Sequence, residues 1–170
     1  MEHHVDTFEG GCTCGAVRYR MTSRPLIVHC CHCSWCQRQS GSAFAVNALI
    51  EADRVEVLKG SVAEILMDSP SGVGQRIARC PECQVAVWSN YLVMADGLGE
   101  VIRFIRVGTL DDPAQLPPDV HIFTSTRQPW VDLPAGARVF DPYYQAGETW
   151  STDSLRRREA LVQKVRESAK

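Results

Sequence analysis

A mostly antiparallel β protein, built as small sheets or a barrel-like stack and followed by a C-terminal helix, is what this sequence predicts. Three observations carry the prediction. Short segments of strand-like apolar and polar residues recur along the chain, compact turn signals separate them, and the composition switches to strong helix formers only near the end.

Taken in order, the first segment is Ala16–Thr22, entered from the Gly10-Gly11 turn signal. Leu26–Cys30 and Phe44–Ile50 follow, with Ser40-Gly41 marking the turn before the second. Val55–Lys59, Ala63–Met67 and Gln75–Arg79 come next, the last two divided by Ser69-Pro70-Ser71-Gly72. Ala86–Tyr91 ends before Asp96-Gly97, and Val101–Thr109 contains the clearest alternation, Val101-Ile102-Arg103-Phe104-Ile105-Arg106-Val107. Asp111-Asp112-Pro113 separates that run from His121–Ser125. Residues 149–168 are rich in Arg, Glu, Leu, Gln and Lys, with Ser151 or Thr152 able to cap and Asp153 in the first turn. The domain expectation is therefore a β domain over 1–145 and a helical extension over 146–170, an appendage or an oligomer contact.

The chain has 170 residues, 18 basic and 20 acidic side chains and a formal net charge of −2. That balance suits an ordinary globular protein and supplies no basic excess for neutralising phosphates, so nucleic acid is an improbable partner. Arg156-Arg157-Arg158 is read as a solvated helix face, because Glu159 and Glu167 offset it and no aromatic platform accompanies it. No apolar run approaches the roughly 20 residues of a membrane span. The first six residues show no basic flank with an apolar segment, so no export signal is visible and a cytoplasmic location is expected.

Eight cysteines are the unusual feature: Cys12, Cys14, Cys30, Cys31, Cys33, Cys36, Cys80 and Cys83. Seven of the eight fall in C-x-C or C-x2-C groups, where disulfides would close only tiny loops with poor geometry. A thiophilic divalent ion is better served, because such spacings aim two thiolates from one turn at a single point. Cys12, Cys14, Cys80 and Cys83 make one complete four-thiolate set, a closed site whose role would be structural. Cys31, Cys33 and Cys36 make a set of three, which leaves one position for water or a substrate thiol, the stoichiometry of a reactive zinc site. The cofactor expectation is two zinc ions per chain, one structural and one catalytic. Cys30 is read as a small buried residue and not a fourth ligand, since neighbours in extended chain point to opposite faces. His32 is expected to face away from that ion, at the surface or hydrogen-bonded to a ligand.

The segments from Gly10 to Tyr19 and from Cys31 to Phe44, with Cys80-Pro81-Glu82-Cys83, resemble the glutathione-dependent formaldehyde-activating enzyme family, which also includes centromere protein V. Gly108–Pro113, His121-Ile122-Phe123 and Pro129-Trp130 match as well. The resemblance implies a β-tent, small antiparallel sheets stacked around zinc, with the two cysteine sets in the structural and catalytic roles just named. It also implies a carbon–sulfur lyase that condenses or cleaves a thiol–aldehyde adduct, with glutathione and formaldehyde as small-molecule partners. Arg38, Ser40, Gly41 and Ser42 are then candidate substrate contacts, although Ser40, Gly41 and Ser42 also suit a turn leading into a strand. Trp35 and Trp130 are read as core in preference to pocket wall. Gln84 departs from the family pattern, which has glycine after the second knuckle. Two other readings stand beside the lyase: a non-catalytic zinc scaffold for a protein or nucleic-acid partner, and a redox or metal-handling protein using Cys30–Cys36.

Overall fold

The computed structural model describes residues 6–168. The first five residues, on which the export-signal reading mainly rests, lie outside the described residues.

Among the described residues ten strands and three α-helices follow one another: β1 (Phe8–Gly11), β2 (Arg18–Met21), β3 (Ile27–Cys31), α1 (Ser34–Ser40), β4 (Ala45–Glu51), β5 (Val55–Lys59), β6 (Ala63–Met67), β7 (Gln75–Arg79), β8 (Ala86–Tyr91), β9 (Ile102–Arg106), β10 (Val120–Ile122), α2 (Ala146–Thr149) and α3 (Thr152–Ser168). The strands form a small sheet, β1-β2-β5, and a larger one, β10-β3-β4-β9-β8-β7-β6. The protein is thus mostly β, in two sheets, with a C-terminal helix. Every pairing is antiparallel except β10 with β3, which runs parallel with His121 opposite Cys30.

The larger sheet is covered on both faces. One core gathers Tyr19, Met21, Val28, Ala48, Ile50, Val87, Trp88 and Ile105 with residues of the small sheet. The other gathers Leu26, Ile27, Cys31, Leu49, Ile102, Val120 and Ile122 with Tyr144, Leu161 and Val162 from the C-terminal segment. Alternate residues of β3 and β4 therefore serve opposite cores, which is why all five residues of β3 are buried and why these strands read as near-continuous apolar runs. Tyr19 and Trp88 meet edge-on with centroids 5.7 Å apart, and the Arg103 guanidinium lies 4.7 Å above the Trp88 ring, both favourable arrangements.

Four differences from the sequence reading have physical causes. β1 was not expected, because Phe8-Glu9-Gly10-Gly11 ends in two glycines; it forms because β2 supplies the pairing partner. β9 stops at Arg106 and a 3-10 turn over Val107–Thr109 replaces the end of the expected strand. Helix α1 replaces an expected turn: the Cys33 side chain accepts from the Cys36 N–H in the role usually taken by serine or aspartate, and Gly41 closes the helix at φ 69°. Arg157 is not solvated. Its side chain is 13% exposed and pairs with the buried Glu51, because the stripe that carries Leu161 and Val162 into the core turns this residue inward too. Arg156 and Arg158 do lie nearer solvent, paired with Asp153 and Asp96.

Ser151 caps α3 by accepting from the Ser154 N–H at 3.1 Å, and the Ser154 hydroxyl donates to the Leu26 carbonyl at 2.7 Å. Among the described residues no helix is long and apolar enough to cross a membrane.

Candidate functional site

The first cysteine cluster is made by two turns with the same backbone plan. In the β1–β2 turn the Cys12 N–H donates to the Val17 carbonyl and the Gly15 N–H donates back to the Cys12 carbonyl. In the β7–β8 turn the Cys80 N–H donates to the Val85 carbonyl and the Gln84 N–H donates back to the Cys80 carbonyl. Each turn points two thiols to the same place. Cys12, Cys14, Cys80 and Cys83 all have their sulfurs within 4.8 Å of one another, with Cys12–Cys14 at 3.4 Å and Cys14–Cys80 at 3.7 Å. All four are free thiols. A tetrahedral zinc with bonds of about 2.3 Å sets its sulfurs about 3.7 Å apart, so the spacing fits an ion and not a disulfide. Burial pushes the Cys12 thiol up, but the Val17 N–H and the three other thiols outweigh it and bring it down to about 6.

Glycine at the second turn would be unstrained; Gln84 instead adopts φ 61°. Its amide donates to the Pro81 carbonyl at 2.9 Å and its own carbonyl accepts from Arg79 at 2.8 Å. The left-handed conformation costs a side chain about 1–2 kcal/mol, while the local hydrogen bonds offset part of that. Gln84→Gly is expected to raise stability by about 0.5–1 kcal/mol in a urea titration. A loss of stability would show that the side-chain bond to Pro81 outweighs the backbone strain.

The second cluster spans the end of β3 and the start of α1. Cys31, Cys33 and Cys36 have their sulfurs within 4.8 Å of one another. Cys31 is buried, and Cys33 and Cys36 are half-buried. The thiols of Cys31 and Cys36 donate to Cys33 and hold it far below the ordinary thiol range, at about 3, with the Cys36 and Trp35 N–H groups adding to the effect against burial. The cost falls on Cys31, whose proton is held by Cys33, by Cys36 and by burial. The mutual hydrogen bonds favour placing a negative charge on Cys33. That is the state in which a thiolate ligates a metal.

Arg106, which the sequence reading used only as part of an alternating strand, completes the surroundings. Its guanidinium donates to Asn47 Oδ1 and Gln39 Oε1, each at 2.6 Å. Burial lowers its pKa, while the nearby Cys36 and Cys31 act in the opposite direction, so the cation stands beside the thiolate cluster. The polar end of an alternating strand carries no mark of this role in the sequence. Gln37, within the family-like run from Cys31 to Phe44, anchors the helix. It donates to the carbonyls of His32 and Thr126 and accepts from Gln128, tying α1 to the loop after β10.

The candidate substrate contacts divide. Arg38 is exposed on α1. Ser40 donates to the Cys36 carbonyl at 2.7 Å and accepts from the Ser42 N–H, and Gly41 takes the left-handed cap position, so these residues shape the helix end. Trp35 is half-buried and donates to Gln75. Trp130 is 72% exposed and not core, because it stands in a turn closed by Val131 N–H to the Gln128 carbonyl, outside both sheets.

Cys30 is 2% exposed, and burial pushes its thiol up to about 12. His32 is neither at the surface nor bonded to the Cys31–Cys33–Cys36 set. It is fully buried and meets Cys30 at 3.5 Å and His121 at 3.0 Å, because residues 30 and 32 share the face opposite that of Cys31.

The chain is similar to known proteins. A curated Halomonas elongata protein named "Putative glutathione-dependent formaldehyde-activating enzyme" is 28% identical over 130 residues, which cover 74% of this chain and 80% of that protein. A crystal structure of a Rhodobacter sphaeroides protein aligns over 63% of this chain and 93% of that one, at 18% identity and a TM-score of 0.44. The family profile described as "Glutathione-dependent formaldehyde-activating enzyme" matches residues 7–126, a span that holds all eight cysteines, Arg106 and His121. By that match over most of its length, the chain belongs to the glutathione-dependent formaldehyde-activating enzyme family.

Proposed function

We propose that the protein is a zinc-dependent carbon–sulfur lyase of the S-(hydroxymethyl)glutathione synthase type, joining or cleaving a thiol–aldehyde adduct. The single observation that carries the reading is the division of seven thiols into a set of four and a set of three, the latter with no fourth cysteine in its group. Cys12, Cys14, Cys80 and Cys83 would hold a structural zinc, and Cys31, Cys33 and Cys36 a catalytic one. When bound at an open three-thiolate site, zinc lowers the pKa of an incoming thiol and polarises an aldehyde oxygen.

The chain's own residues do the rest. Cys33, favoured as the thiolate, together with the Cys31 and Cys36 thiols forms the ligand set, and the Arg106 cation, held by Asn47 and Gln39, balances its charge. In the condensation the thiol sulfur attacks the aldehyde carbon and forms the carbon–sulfur bond. The carbonyl π pair moves to oxygen, which takes up one proton as the thiol gives up its own. Arg38, exposed on the same short helix, is the side chain suited to a glutathione carboxylate. Residues 1–145 would form the zinc-binding domain and 146–170 an extension docked on it. Cysteines grouped as ligand sets and not joined as disulfides suit a reducing compartment, which favours the cytoplasm.

Exchange spectroscopy by NMR, following formaldehyde and glutathione against their adduct, tests this. The native protein should accelerate exchange over the uncatalysed rate. Cys33→Ala should lose that acceleration by on the order of 100-fold or more while keeping a cooperative thermal transition. A Cys33→Ala protein as fast as the native one would sink the proposal.

A further inference from the structure

Seven cysteines are taken up by the two sets above; the eighth, Cys30, stands in a third group with His32 and His121. We propose that these three residues form a further metal site, for a single divalent ion of the zinc class, separate from both cysteine sets and independent of the lyase reading.

The site follows from the alternation of β3 and its continuation. Ile27 and Cys31 point to the core on the side of α3, whereas Val28 points to the opposite core. Cys30 and His32 share the parity of Val28, so the run Cys30–Cys33 sends its odd residues into the set of three and its even residues through to the other face. The parallel pairing of β10 then sets His121 directly beside Cys30 on that face. Residues far apart in the chain thus converge through sheet register.

The spacing suits an ion. Cys30 Sγ lies 3.5 Å from His32 Nε2, which lies 3.0 Å from His121 Nδ1, and the three ligand atoms all fall within 4.8 Å of one another. A tetrahedral zinc with bonds of about 2.3 Å to sulfur and about 2.0 Å to nitrogen places sulfur and nitrogen ligands about 3.5 Å apart, and two nitrogens about 3.3 Å apart. One thiolate and two imidazoles are also the donor types that such an ion selects over the hard, oxygen-seeking cations.

The cluster is enclosed. His32 is 0% exposed and turns its Nε2 to both Cys30 and His121. The two imidazoles meet nitrogen to nitrogen with ring centroids 5.3 Å apart, so a small turn of His121 aims both at one ion. The Phe44 ring meets His32 edge-on at 5.6 Å and closes one side. His121 is only partly buried, which gives an ion a way in. Cys30 would give up its proton on coordination, as coordinated thiols do.

Full-length protein equilibrated with zinc and freed of excess by gel filtration should carry one more zinc per chain than the Cys30→Ala/His121→Gln variant. Cys33→Ala should keep that extra ion, which separates this site from the fate of the proposed catalytic zinc. Equal zinc content in the native protein and the double variant would overturn the proposal. Anomalous diffraction at the zinc edge on crystals of the native protein needs no variant. A peak between Cys30, His32 and His121 supports the site; peaks at the cysteine sets with none there reduce the group to a hydrogen-bonded chain and overturn it.

Discussion

Cys80→Ala is expected to abolish the folded state at 37 °C, as is stripping the native protein with a strong chelator. Cys80 is fully buried within the core shared by the two sheets, and its turn and the Cys12 turn belong to strands in different sheets. The proposed ion, held by both turns, would fasten the small sheet to the large one. Structural zinc contributes on the order of 10 kcal/mol in small zinc-folded peptides, against a total stability of about 5–15 kcal/mol for a domain of ordinary size. Losing one of four ligands therefore removes much of the margin, and the truncation adds a buried cavity. Differential scanning calorimetry of zinc-loaded proteins checks this, with Cys33→Ala as the comparison. If Cys80→Ala melts within a few degrees of the native protein, the four-thiolate set is not the structural site proposed for it.

Arg157→Ala should cost about 3 kcal/mol. Glu51 is 4% exposed, and Arg157 binds both of its carboxylate oxygens from α3, the Nε contact at 2.8 Å. The same guanidinium donates to the Arg24 carbonyl at 3.0 Å. Removing one partner of a buried pair leaves the other charge uncompensated, at a cost of about 3–5 kcal/mol. The lower end applies because Arg54 remains 3.3 Å from Glu51. Urea denaturation should show the loss, and limited proteolysis should cut first near α3, whose attachment also relies on Leu161, Val162 and the Ser154 bond to Leu26. Glu51→Met/Arg157→Met should recover most of the stability, because apolar replacement of both partners removes the desolvation penalty as well. A double variant as unstable as Arg157→Ala would show that the helix depends on the arginine for something other than this pair.

Much of this molecule was legible in its residues. The segments Val55–Lys59, Ala63–Met67, Gln75–Arg79 and Ala86–Tyr91 are strands with those bounds, since their turn signals and β-branched or aromatic content act locally. The grouping of cysteines was equally plain, because C-x-C and C-x2-C spacings constrain where neighbouring thiols can point without reference to the rest of the fold. α1 was hidden because cysteine is not among the usual cap residues, and β1 because two glycines argue against a strand until a partner supplies its hydrogen bonds.

What the sequence alone determined, then, was the mostly-β class, the late helix and the local grouping of seven cysteines into C-x-C and C-x2-C turns, all set by interactions over a few residues. The meeting of the Cys12 and Cys80 turns in one set of four came from the packing of the two sheets. The tertiary structure decided which distant residues stand beside those sulfurs. Arg106 reaches Asn47 because β9 pairs with β4. His121 reaches His32 because β10 runs parallel to β3 in one particular register. Arg157 is buried because α3 turns one face onto Glu51. Register and docking arise from burying two cores at once on either side of a single sheet, and no local pattern of residues encodes that.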